Sequence, residues 1–254
     1  MTITCPALRD RTAYESGQCS NGRVLRPGGI ELTARAIALC GLSAGARVLD
    51  LGCGSGHGTE YLSSMLGFDA IGMDLSASAC KSARQRTAEL AVVRANATHL
   101  PFASASVDAL IAECVLSLIE HKATALAECS RVLKPGGRLA ITDMYARNPD
   151  GMDRLHSLRC VCVSGMIRRP DMESELAKHG FSIELWEDHS RALREWVARF
   201  VFEQGNLEQL WTSSDPKPNE SQQISEALEV ARPGYFLLVA CKREEKFIEE
   251  SDHE

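Results

Sequence analysis

The stretch Ala46-Arg47-Val48-Leu49-Asp50-Leu51-Gly52-Cys53-Gly54-Ser55-Gly56 carries the strongest structural signal in the chain. Its first half is a short apolar run, typical of a buried β-strand, and its second half has glycine at every other position. Glycine adopts positive φ angles and has no Cβ, so such a turn lets backbone amides approach a ligand closely. A helix is predicted over His57–Met65, with its N-terminal amides and dipole directed at the same place.

The spacing of the glycines separates two kinds of ligand. Dinucleotide-binding folds use G-x-G-x-x-G after the first strand, whereas this turn reads G-x-G-x-G. Asp50 precedes the turn, where a carboxylate would repel a pyrophosphate but suits a cationic amino acid. At this point the chain resembles the class I S-adenosylmethionine (AdoMet)-dependent methyltransferases, whose first motif is similar to residues 48–56. An ordinary strand–turn–helix corner is the alternative.

The second strand is predicted over Phe68–Asp74 and ends in an acid. Asp74 lies about twenty residues past the glycine turn, the position that faces a ribose in doubly wound sheets. The resemblance implies the same role, since the second motif of the family is an acid at the end of strand two. The alternative is that Asp74 caps the helix predicted from Ser76 to about Leu90.

Two later segments are also similar to the family. Asn96–Phe102 matches a segment that usually reads Asp-Ala-x-x-Leu-Pro-Phe, with Asn96 in place of the acid. The Asn96 amide oxygen can still accept a hydrogen bond from the adenine amino group. Leu133–Leu139 matches a helix end, a Pro-Gly-Gly turn and the start of strand five, and we assign it a structural role only.

Strands alternate with helices through residues 46–143, which predicts a parallel sheet with right-handed crossovers. The resemblance implies an α/β fold with a doubly wound, seven-stranded, mostly parallel sheet. Its last strand, Phe236–Cys241, is expected to be antiparallel beside strand five. Ligands of such sheets bind at the carboxyl ends of the strands. The predicted AdoMet-binding residues are Asp50, Leu51, Gly52, Cys53, Gly54, Gly56, Asp74, Leu75, Asn96, Ala97, Glu113 and Cys114.

The chain divides into three predicted parts. Residues 1–30 are an N-terminal lid over the cofactor or a plain surface arm, and residues 31–241 are the methyltransferase domain. Residues 146–170 form an insertion on the substrate side of that domain. Residues 242–254, with three Lys or Arg against six Asp or Glu, are expected to be a solvated acidic tail.

Composition narrows the class of partner. The net charge is −6 and we find no basic run, so a nucleic-acid substrate is not expected. No apolar stretch approaches the roughly 18 residues of a membrane span, and the N-terminus does not resemble a secretory signal. The ten cysteines are then expected to be reduced, in a cytoplasmic protein that acts on a small molecule. The oligomeric state stays open.

A second, narrower resemblance concerns the methyl acceptor. Asp143–Ala146 and Arg159–Gly165 are similar to segments of arsenite methyltransferases, which implies a metalloid-binding thiol at Cys162 and a possible partner at Cys19. Arsenite prefers several soft thiolates. The family's cysteine just after the first motif is absent, because Gly58 and Thr59 stand there, so a third thiol would come from Cys5, Cys160 or elsewhere. The alternative is that the Cys-Val-Cys-Val run simply packs.

The need for a catalytic base depends on the acceptor. A thiolate, metalloid or carbanion needs no strong base, whereas a hydroxyl or amine does. Two other functions compete with catalysis: a non-catalytic AdoMet-binding module, and a dehydrogenase, which the glycine spacing disfavours. The catalytic candidates are Tyr14, His57, His99, Tyr145 and Cys162.

Overall fold

The computed structural model describes residues 26–87, 89–152, 155, 163, 165–204 and 220–244, and these form an α/β fold around one seven-stranded sheet. The strands are β1 Arg47–Leu51, β2 Asp69–Asp74, β3 Val92–Arg94, β4 Val107–Glu113, β5 Leu133–Ala146, β6 Phe181–Asp188 and β7 Pro233–Lys242. The helices are α1 Gly29–Cys40, α2 His57–Glu60, α3 Ala77–Arg86, α4 Lys122–Val132, α5 Arg169–Lys178, α6 Ser190–Gln204 and α7 Glu220–Ala231.

The strand order is β3-β2-β1-β4-β5-β7-β6. Strands β1 to β5 pair in parallel, and β7 lies antiparallel between β5 and β6. The chain thus starts in the middle of the sheet, winds outward to β3, returns to β4 and continues to the other side. This arrangement confirms the predicted doubly wound sheet with an antiparallel last strand beside strand five.

Helices cover both faces of the sheet, so the central strands are buried. Val48 and Leu49 on β1 are fully buried and point to opposite faces, each into its own apolar cluster. The apolar stripe of α1, including Leu32 and Ile37, packs on the first of these faces. Each such side chain contributes about 1.5–3 kcal/mol on burial. The sheet is therefore a rigid base for the loops at its carboxyl edge.

Two predicted helices differ from the structure. The segment after the glycine turn is α-helical only over His57–Glu60 and continues as a π-helical turn, Tyr61–Met65. The helix capped by Ser76 ends at Arg86 rather than near Leu90, because Thr87 is extended and Leu90 turns back to pack against Cys80 and Ala83.

The Pro-Gly-Gly segment also differs from its predicted form. Helix α4 ends at Val132 as expected, but the next residue, Leu133, already pairs with Val107 of β4. The pairing resumes at Arg138 opposite Ala109, so the residues between are bulged out of the ladder. Gly136 supplies the positive φ, +74°, that the bulge needs. The segment belongs to an irregular start of β5 rather than to a separate turn.

Residues 1–25 and 245–254 lie outside the described residues, so the lid or arm and nearly all of the acidic tail stay predictions. The insertion is described only in part. It includes a short 3₁₀ turn, Pro149–Gly151, and a bridge that pairs Ile167 in parallel with Tyr145. Within the described ranges, every helix is too short or too polar to cross a membrane.

Candidate cofactor site

The glycine turn after β1 has the predicted open geometry. Gly52, Gly54 and Gly56 all have positive φ, at +73°, +55° and +82°. Cβ atoms on Gly52 and Gly56 would collide with neighbouring side chains, whereas one on Gly54 would meet no described residue within 4 Å. Among the described residues, Gly54 thus lies against open space at the carboxyl edge of the sheet, in a corner that leaves room for a ligand.

Asp50 is buried behind this turn and is held by one hydroxyl. Its side chain accepts a hydrogen bond from Thr59 Oγ1 at 2.7 Å, and Asp50 and Thr59 are both buried. Burial raises the pKa of Asp50, while Thr59 and Arg26 favour its ionised form. A positive charge placed here would be stabilised strongly because the site is poor in water.

A second buried carboxylate, Glu113 at the end of β4, lies close to Asp50. A Cβ on Gly58 would be 3.0 Å from Oδ2 of Asp50 and 3.7 Å from Oε2 of Glu113, so both acids face the same small volume. Thr33 of α1 donates to Glu113 at 3.1 Å, and Arg26 forms an ion pair with it at 2.6 Å.

Burial raises the pKa of Glu113 to about 7; Asp50 adds to the rise and Arg26 opposes it. Neither Arg26 nor Thr33 was found from the sequence. The available signal was indirect: two acids predicted at neighbouring strand ends need a cation, and Arg26 stands immediately before the Pro27-Gly28-Gly29 start of α1.

Asp74 joins the glycine turn to the next helix. Its Oδ2 accepts from the Gly54 amide at 3.0 Å, and its Oδ1 accepts from the Ser76 amide at 2.8 Å. Ser76 in turn caps α3 through Ala79. The alternative role of Asp74, at the entry of the helix, is therefore present. The ribose assignment stays a prediction.

The remaining predicted residues lie along the same edge. Leu75, directly after Asp74, is 42% exposed. Asn96 follows β3 and is exposed; its Oδ1 accepts from the Thr98 amide at 3.0 Å, while Ala97 beside it is half-buried. The Asn96 amide group can therefore still donate, and its oxygen retains one lone pair.

Cys114 follows Glu113 with an unusual backbone. Its φ is +54°, a conformation that is rare for a side chain other than Gly, Asn or Asp. Its Sγ lies 2.9 Å from the hydroxyl of Tyr235, which also donates to Thr142 Oγ1 at 3.1 Å. Tyr235 is completely buried, and burial holds its pKa well above the usual value. The sequence analysis did not find Tyr235, which comes from the distant strand β7.

The described catalytic candidates each have partners of their own. His57 contacts Ser55 Oγ through Nδ1 at 3.0 Å and Arg86 through Nε2 at 2.8 Å. Tyr145 donates to Asp188 at 2.9 Å, and burial together with Asp188 raises its pKa. His99 is exposed and contacts Thr98. A base role for any of the three stays a prediction.

The remaining candidates, one possible base and the possible metalloid-binding thiols, belong to the N-terminal region and the insertion. Tyr14 and Cys5, with Cys19, belong to residues 1–25, and Cys160 and Cys162 belong to residues 156–162, so all five lie outside the described residues. Of Gly58 and Thr59, which stand where an arsenite methyltransferase has its cysteine, Thr59 is the hydrogen-bond donor to Asp50.

Comparison with known proteins agrees with this architecture. A family described as "Methyltransferase domain" matches residues 49–141, from β1 into β5. The O-methyltransferase resE of Aspergillus sclerotiorum is 30% identical over 68% of this chain and 66% of its own length. Residues 49–141 of this chain are therefore a methyltransferase domain.

A second curated relative is named for a different acceptor. An arsenite methyltransferase of Halobacterium salinarum is 31% identical over 63% of this chain and 44% of its own length. The chain thus spans less than two thirds of the length of either curated relative.

A solved structure supports the fold. Phosphoethanolamine N-methyltransferase 2 of Haemonchus contortus, in complex with S-adenosyl-L-methionine, superposes with a TM-score of 0.72 at 19% identity, over 96% of this chain and 61% of that one. At this level of identity the match concerns the fold alone.

Proposed function

We propose that this protein is an AdoMet-dependent methyltransferase that acts on a small-molecule acceptor. The observation that carries the proposal is the open corner at Gly54, with the Asp50 and Glu113 carboxylates on one side and Asp74 on the other. The match of residues 49–141 to a methyltransferase domain and an O-methyltransferase relative support it.

The residues of the site match the parts of AdoMet. Asp50 and Glu113 supply negative charge for the methionine end, which carries an ammonium group and the sulfonium. The Asp74 carboxylate at the end of β2 suits the ribose hydroxyls, and Asn96 with Ala97 suits the adenine edge. When bound, AdoMet supplies a methyl group already activated for transfer. The protein then has to orient the acceptor and keep water away.

The acceptor side of the site is bounded by the loop after β4. Cys114 lies there, next to Glu113 and held by Tyr235. The 30% identity to an O-methyltransferase favours a hydroxyl group as the acceptor. We propose a hydroxyl-bearing small molecule as the first acceptor class to test.

A metalloid acceptor is the second candidate, favoured by the 31% identity to an arsenite methyltransferase. It would use Cys162 and Cys19 as predicted from the sequence. The cytoplasmic location and the absence of a nucleic-acid partner also remain predictions.

Methyl transfer from isotopically labelled AdoMet tests the proposal. The purified protein would be offered phenols, hydroxy acids, amines, thiols and arsenite, with S-adenosylhomocysteine binding measured in parallel by titration calorimetry. Label in an alcohol or phenol supports the first candidate, and label in arsenite that is lost in Cys162→Ser supports the second. Tight binding with no transfer to any acceptor would favour the non-catalytic module, and no binding of either ligand would refute the proposal.

A further inference from the structure

Arg26 is buried at the carboxyl end of β4, where the sequence predicts only Glu113 and Cys114 as residues that bind the cofactor. Its Nη2 lies 2.6 Å from Oε2 of Glu113, and the arginine and glutamate side chains are 13% and 5% exposed. Nη2 also donates to Thr33, whose hydroxyl donates onward to Glu113. The guanidinium is therefore held in a fixed position by α1 and β4.

Part of this guanidinium has no partner among the described residues. Nε of Arg26 is buried and makes no hydrogen bond to any described residue. A buried N–H on a charged group is costly to leave unsatisfied, so such donors are normally paired with protein, water or ligand. The Nε hydrogen thus requires an acceptor that the described residues do not supply.

The charges around Arg26 indicate which acceptor fits. Two carboxylates, Asp50 and Glu113, act on it, and Arg26 is the cation that acts on both of them. The two acids suit the cationic groups of the methionine end of AdoMet. That end also has an α-carboxylate, which needs a cationic donor, and Arg26 can provide one beside the two acids.

On the basis of the proposed function, we propose that Arg26 binds the α-carboxylate of AdoMet through its unpaired Nε–H while Nη2 stays paired with Glu113. Arg26 is then a binding and positioning residue that sets the methionine end against Asp50 and Glu113. The site would select ligands that carry an α-amino acid over analogues without the carboxylate.

The test compares two ligands that differ only in this group: S-adenosylhomocysteine and its decarboxylated analogue. Calorimetry would measure both affinities for the wild type, Arg26→Gln, Arg26→Lys and the control Arg35→Gln. Arg35 lies on α1 but pairs with Glu187 at 2.7 Å and is half-exposed, away from the site.

We expect Arg26→Gln to lower the affinity for S-adenosylhomocysteine by about tenfold or more. The affinity for the decarboxylated analogue should fall by less than about threefold. Lysine should recover part of the loss, because it keeps the charge but not the fork of donors. Arg35→Gln should resemble the wild type with both ligands.

Other results would overturn the inference. Equal weakening of the two ligands would make Arg26 a purely structural residue, and tighter binding after Arg26→Gln would mean that it competes with the cation of the cofactor. Circular dichroism and thermal unfolding check that each variant is folded. If Arg26→Gln does not fold, the double variant Arg26→Gln/Glu113→Gln, which removes both charges of the pair, takes its place. If the wild type binds neither ligand, the proposed function itself is refuted. If the wild type binds both ligands equally, only the role of Arg26 is refuted.

Discussion

The backbone amide of Gly54 donates to Oδ2 of Asp74 at 3.0 Å, so the glycine turn after β1 and the acid that ends β2 form one unit. A ligand that contacts Asp74 therefore also depends on the position of the turn. The loss of either residue should disturb both.

Asp74→Ala should weaken S-adenosylhomocysteine binding by ~1.5–3 kcal/mol, the size of a hydrogen bond to a charged group, or about 10- to 150-fold. The Gly54 and Ser76 amides also lose their acceptor, so the melting temperature should fall. Calorimetry and thermal unfolding measure the two effects. Asp69→Ala is the control, because Asp69 begins the same strand but is half-exposed and pairs with Arg47. Unchanged affinity in Asp74→Ala would refute the ribose assignment.

Gly54→Val should abolish cofactor binding and leave a folded protein. A side chain there projects into the open corner, and the cost of φ +55° is roughly 1–2 kcal/mol. Gly67→Val is a matched control, since Gly67 has φ +71° and no described residue within 4 Å of its added Cβ but lies before β2, at the opposite edge. If both variants lose similar stability but only Gly54→Val loses cofactor binding, the glycine turn is supported as the place where the ligand binds. Normal affinity in Gly54→Val would contradict it.

Thr59→Val should destabilise the fold and weaken AdoMet binding, whereas Thr59→Ser should do neither strongly. Valine keeps the shape but removes the 2.7 Å donor to Asp50, which leaves a buried acceptor unsatisfied at a cost of about 1–3 kcal/mol. The pKa of Asp50, already raised by burial, would rise further and reduce its negative charge. Chemical denaturation and calorimetry distinguish the pair of variants; equal behaviour of Val and Ser would show that the hydroxyl is unimportant.

Glu113 should make stability and cofactor binding depend on pH in opposite ways. Its pKa rises from 4.5 to about 7 on folding, so its contribution to stability is full below about pH 4.5 and is lost as the pH rises through about 7. The pKa of Glu113 is affected by the charges of Arg26 and Asp50, and Glu113 in turn affects the pKa of Tyr235. A cationic ligand favours the ionised form, so AdoMet should bind more tightly as the pH rises through 7, with release of a proton.

Calorimetry in two buffers of different ionisation enthalpy measures that proton directly. Denaturant unfolding between pH 5 and 8 measures the stability effect. Glu113→Gln should flatten both pH profiles in the range around pH 7. Identical profiles for wild type and Glu113→Gln would contradict the assignment.

Much of the fold follows from local sequence, and much of the site does not. Asp50, the glycine turn and Asp74 follow adjacent strands, so periodicity and spacing place them on one edge, as the structure confirms. Arg26 and Tyr235 reach the same edge from the residues before α1 and from β7, which are distant in sequence, and only the packing of helix and sheet brings them there. The bulge at the start of β5 is similar: proline and two glycines indicate an irregular backbone but not the pairing of Leu133 with Val107.

The place of β7 inside the sheet affects how the protein is made. During synthesis β5 and β6 are available long before residues 233–242 leave the ribosome, yet β7 must insert between them. Until it does, β5 has an unpaired outer edge, which is a ready partner for other strands. Tyr235 arrives on that same late strand, so the contact that holds Cys114 forms among the final steps of assembly.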